Sequence, residues 1–133
     1  MKSALLLCAA VLVSGCAAGR LYPVQGPLAA QLPPPIYKIK MEYGDGISAT
    51  LARREECHGR WLDVVQEDPT AREFSAEWDL VYGKGYFLAN VLGHIGIARA
   101  TLTCAKGGKV TAEFDSMIGV AKDENGNVFK LTF

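Results

Sequence analysis

The stretch ARATLTCAKGGKVTAEF, Ala98 to Phe114, alternates apolar and polar side chains on both sides of a Gly107-Gly108 turn. Ala98, Ala100, Leu102 and Cys104 share one face and Arg99, Thr101 and Thr103 the other; Val110, Ala112 and Phe114 then interleave with Thr111, Glu113 and Asp115. A period of two is the mark of a half-buried strand, and two such runs across a glycine turn make a β-hairpin. On the carboxyl side, Ile118 to Lys122 and Asn127 to Phe133 form a second hairpin across Asp123-Glu124-Asn125-Gly126, because Asn-Gly readily takes the positive φ of a tight turn. Phe129, Leu131 and Phe133 share a face, which predicts that the last strand is tied into the sheet.

Moving back toward the amino end, Tyr37, Ile39, Met41 and Tyr43 alternate with Lys38, Lys40 and Glu42. After Gly44-Asp45-Gly46 the alternation resumes through Ile47, Ala49 and Leu51, and a third, less regular strand is expected from Cys57 to Val65. Between these strands and Ala98 the period changes. Thr70-Ala71-Arg72-Glu73 has capping-box spacing, and Phe74, Trp78 and Val81 recur at helical intervals before Gly83. The spacing predicts a helix from Ala71 to Tyr82, with Phe74 and Trp78 in its buried stripe. Gly83 to Gly96 is apolar but rich in glycine and follows neither period. The fold class expected is mainly β (α+β): a small antiparallel β-barrel or sandwich of about seven strands with one covering helix.

Composition narrows the function. The 133 residues carry 14 Lys+Arg and 14 Asp+Glu, so no basic excess is present to displace counterions from nucleic acid, and no nucleic-acid partner is expected. At the amino terminus, Met1-Lys2-Ser3 precedes ten apolar residues, Ala4 to Val13. A ten-residue helix rises about 15 Å, half of the roughly 30 Å hydrocarbon core, which fits a signal peptide rather than a permanent span.

Val13-Ser14-Gly15-Cys16 then resembles the lipobox of bacterial lipoproteins. That resemblance implies a signal peptide of residues 1–15, diacylglycerol on the Cys16 thiol and acylation (palmitate) of the new amino terminus. Ala17 and Ala18 in place of an aspartate imply the outer membrane, with the chain lipid-anchored on its periplasmic face. Several acyl chains satisfy the two-signal requirement for stable anchoring. Processing leaves 118 residues with 13 basic and 14 acidic side chains. Residues 16–35, with Pro23, Pro27 and Pro33-Pro34-Pro35 and no apolar periodicity, are expected to be a semi-rigid tether below a single β-rich domain, 36–133.

Of the four cysteines, Cys8 leaves with the signal peptide and Cys16 takes lipid, so Cys57 and Cys104 are expected to form a disulfide in an oxidising compartment. His58, next to Cys57 on a strand, points to the opposite face and is poorly placed to activate it. His58 and His94 lack metal-ligand spacing, so no metal and no cofactor is expected. The pairs Glu55-Glu56, Glu67-Asp68 and Asp123-Glu124 sit beside predicted turns and read as solvated, while Gly83-Lys84-Gly85 lacks the pattern of a phosphate loop. No catalytic residue is assigned. Tyr82, Lys84, Tyr86, Phe87 and His94 form a candidate binding loop, against which stands a core role for the aromatic rings.

WDLVYGKGYFLANVLG (Trp78 to Gly93) and GVAKDENGNVFKLTF (Gly119 to Phe133) are similar to segments of small lipoproteins of proteobacterial envelopes. The similarity supports the envelope location and implies no chemistry. The expected function is a non-enzymatic outer-membrane lipoprotein that binds an envelope protein or glycan, or supports an assembly. A periplasmic enzyme inhibitor or small-ligand-binding module is the alternative, and a hydrolase the third reading.

Overall fold

The computed structural model describes residues 17–51 and 54–133. The expected signal peptide, lipobox and Cys16 lie outside the described residues. Eight antiparallel strands follow one another around a closed barrel: β1 Ala18–Gln25, β2 Tyr37–Met41, β3 Gly46–Thr50, β4 Glu56–Asp63, β5 Ala98–Cys104, β6 Lys109–Phe114, β7 Ile118–Asp123 and β8 Val128–Thr132. Each strand pairs with its neighbour in sequence, and β1 pairs with β8 to close the ring. Closure removes both free edges, and this is the physical reason the β meander rolls into a barrel rather than a sandwich.

The strand β1 corrects the tether expected over 16–35. Gly19, Leu21 and Pro23 turn inward, and Leu21 is fully buried opposite Tyr37 on β2 and Leu131 on β8. Proline ordinarily argues against a strand because it has no N–H to give. Here the register shifts between Pro23 and Gln25, so Pro23 sits where the β1–β8 ladder is already irregular. The β-rich domain therefore begins at Ala18, and the proline-bearing remainder is the connection from β1 to β2.

Inside, the barrel is filled. Leu21, Tyr37, Ile39, Ile47, Leu102, Val110, Phe114, Phe129 and Leu131 interdigitate with Ala49, Ala98, Ala100, Ala112 and Ala121. Small residues opposite large ones let an eight-stranded barrel reach close packing. Gly119, the cross-strand partner of Phe114, shows why: a Cβ there would lie 2.5 Å from the Cβ of Phe114.

A second layer lies outside the barrel. A 3-10 turn, Pro69–Arg72, leads into helix α1, Ser75–Tyr82, followed by helix α2, Tyr86–Asn90, within the stretch that had no periodicity. Phe74, Trp78, Phe87 and Val91 pack with Val120 on the outer face of β7. The capping box expected at Thr70–Glu73 is not formed. Asp68 caps the 3-10 turn by accepting from the Thr70 amide at 2.9 Å, and α1 starts at Ser75, two residues beyond Glu73. Those Thr70 donors hold the Asp68 carboxyl below its ordinary value.

Candidate functional site

The Cys57–Cys104 disulfide is present, joining directly opposed residues of β4 and β5 inside the barrel. Its sulfurs lie close to a Glu55 carboxylate oxygen, but bonded to each other they are not the thiolates that a metal needs. His58 faces outward, 3.3 Å from Glu56, away from the buried Cys57.

The candidate loop divides. Phe87 is buried under the helical layer, which removes it from any recognition surface. Both tyrosine rings pack on Trp78, Tyr82 tilted at a centroid distance of 5.5 Å and Tyr86 stacked at 5.7 Å. The Tyr82 hydroxyl donates toward the carbonyls of Gly119 at 2.9 Å and Leu131 at 3.2 Å, so it pins α1 to β7 and β8. Burial pushes its pKa up to about 12. Lys84 and His94, before and after α2 in sequence, are exposed. The rings of Tyr82, Tyr86 and Phe87 thus serve the packing of the helical layer, while Lys84 and His94 stand exposed.

The densest polar cluster is also in that layer. Glu113 on the outer face of β6 is fully buried; its Oε1 accepts from Trp78 Nε1 at 2.9 Å and its Oε2 from Arg99 Nη2 at 2.7 Å. Arg99 reaches on to Glu73 and to the carbonyl of Thr70, and its guanidinium and the Lys122 ammonium lie over the Phe74 ring. Burial raises the Glu113 pKa against the opposing pull of Arg99 and Trp78. With every oxygen of Glu113 engaged beneath a helix, the cluster fastens α1 to the barrel wall.

A different region is open to a ligand. At the end of the barrel where β1, β3, β5 and β7 begin, a cavity of about 280 Å³ is lined by Met41, Trp61, Ala98, Phe114, Phe133 and Ala17, with Asp63, Asp115, Ser116 and Gly96 at its margin. Trp61 is half-buried, and its Nε1–H has no acceptor among the described residues. Asp115 is committed to its turn, accepting from the Met117 and Ile118 amides at 2.7 and 2.8 Å. Around the same end, Tyr43, Leu62, Ile95 and Met117 are exposed, Tyr43 and Ile95 almost completely.

The outer wall near this end is cationic. Arg20 on β1 stands directly opposite Lys38 on β2, and Lys40 lies opposite Ala18. Among the described residues none of the three has an ion-pair partner. Like charges directly opposed on adjacent strands weaken a sheet, so packing does not account for this pairing. The cavity and rim were not legible in the sequence; the exposed apolar residues sit in four different turns and strand ends, and only barrel closure brings them together. No protein family, curated protein or solved structure matches the chain.

Proposed function

We propose that the chain is a non-enzymatic, lipid-anchored module of the outer membrane, facing the periplasm, that binds or organises other envelope components. The observation that carries this reading is the position of the lipobox cysteine. One residue, Ala17, separates Cys16 from β1, and β1 begins at the barrel end ringed by exposed apolar side chains. A lipid on Cys16 would therefore place the barrel itself, with no intervening tether, at the membrane surface. Engagement of Glu113, Arg99 and Asp115 in structural contacts supports a binding rather than a hydrolytic role. The small-ligand-binding alternative is favoured by the cavity at the same end.

The test is metabolic labelling with a clickable palmitate analogue, followed by envelope fractionation and in vivo crosslinking. The wild-type chain is expected to take label, sediment with the outer membrane and capture a protein or glycan. The Cys16→Ala chain is expected to lose the label, and label retained on it would overturn the anchor.

A further inference from the structure

We propose that the open end of the barrel is a docking surface for a zwitterionic phospholipid bilayer, with one acyl chain entering the cavity beside Trp61. The inference deepens the membrane-attached reading and rests on it, but its surface belongs to the folded domain and not to the lipid on Cys16.

Three observations converge on that end. The first is the rim: four large apolar side chains, Tyr43, Leu62, Ile95 and Met117, project from separate strand ends and turns. Scattered apolar residues are ordinary on a protein surface, whereas a ring of them around one opening is a contact site. The second is the cavity, whose apolar wall of Met41, Phe114 and Phe133 suits a hydrocarbon chain. Trp61 lines it with part of its indole ring, an amphipathic side chain suited to the polar–apolar boundary of a bilayer. The third is charge. Arg20, Lys38 and Lys40 line the wall beside the opening, while Glu42, Asp45 and Asp63 stand at its edge. A head group bearing both a phosphate and an ammonium complements this mixture; a purely anionic surface would be repelled by the carboxylates.

Other large apolar side chains are exposed too, Leu32 and Ile36 on the β1–β2 connection and Leu80 and Leu88 on the helices, but none of them borders this cavity. The face of β6 to β8 is covered by the helical layer, and that of β3 and β4 carries Ser48, Thr50, His58 and Arg60. A barrel docked by its open end would keep both in water.

The experiment uses the chain from Ala17, which contains every barrel strand and lacks Cys16, secreted so that the disulfide forms. It is mixed with vesicles of phosphatidylethanolamine and phosphatidylcholine brominated on the acyl chains near the glycerol. Tryptophan emission is expected to be quenched in this chain and unquenched in Trp61→Phe, which retains only Trp78. Ile95→Asp combined with Met117→Asp, both at exposed positions, should weaken vesicle binding roughly tenfold or more, because each replaces an apolar side chain at the bilayer contact with a charge. Absence of quenching would overturn the proposal, as would equal quenching in Trp61→Phe or binding confined to purely anionic vesicles. Failure of the Cys16 labelling is a separate readout, because this chain carries no lipid.

Discussion

Trp78 and Glu113, 35 residues apart and both withdrawn from solvent, are joined by an indole-to-carboxylate hydrogen bond of 2.9 Å that fastens helix α1 to the outside of the barrel. The carboxylate has a second partner in Arg99, so one buried anion serves a neutral donor from the helix and a cation from the neighbouring strand. A buried charge is tolerable only when paired and hydrogen-bonded, and Glu113 meets both conditions.

Removing it should therefore cost more than its own contacts. Glu113→Ala leaves Trp78 Nε1–H and Arg99 without their shared acceptor and is expected to destabilise the fold by about 3 kcal/mol, measured by urea unfolding. Glu113→Gln, which keeps an oxygen for Trp78, should cost less.

The same residue gives a pH signature. Its pKa is raised by burial, so the folded state holds the proton at pH values where the unfolded chain has released it. Its contribution is full below the ordinary value of 4.5 and is lost as pH rises through the raised one. Wild-type stability relative to Glu113→Gln should fall over that window and level off above it; a rising difference would show that the Arg99 pair dominates.

Tyr82 predicts an effect at the alkaline end. With its pKa moved from 10.0 to about 12 by burial, the hydroxyl's contribution is intact below pH 10 and lost between those values. Tyr82→Phe should lower stability by about 1 kcal/mol at neutral pH through the lost hydrogen bonds to Gly119 and Leu131. Spectrophotometric titration should then lack one late-ionising tyrosine.

The disulfide joins residues 47 positions apart, for which chain entropy gives about 4 kcal/mol. Cys57→Ser with Cys104→Ser is expected to lower the urea midpoint strongly, and thiol titration of the denatured wild-type chain should find the pair only after reduction.

Deleting residues 18–25 separates a strand from a tether. Without β1 the inner edges of β2 and β8 lie open, and cooperative unfolding should be lost with aggregation in its place. Loss of Leu131 to Phe133 should act in the same way, because Leu131 is fully buried opposite Leu21. Unchanged melting in either deletion would contradict the closed ring.

What the sequence disclosed follows from the range of the forces involved. Strands such as Ala98–Cys104 and Lys109–Phe114 announce themselves because a half-buried sheet imposes its period on neighbouring residues. The cysteine pair was legible because few thiols remained to choose from. The strand β1 was hidden by Pro23, whose defect is absorbed by an irregularity in pairing with a strand over a hundred residues away. Helix α2, only five residues long, carries too little periodicity to be seen; its start is held by Asp79, which accepts from the Phe87 amide at 2.9 Å. The candidate lipid-facing end was illegible for a related reason, since Tyr43, Leu62, Ile95 and Met117 become neighbours only when the ring closes.

The pairing of β1 with β8 also sets a timetable. A chain made from its amino end holds seven of the eight strands before its last ten residues emerge, yet Leu21 lacks its partner Leu131 until they do. Until then the nascent sheet has two unsatisfied margins, one of them at its oldest segment. Exposure of β1 during that interval is therefore the stage at which pairing with a second chain competes with closure of the ring.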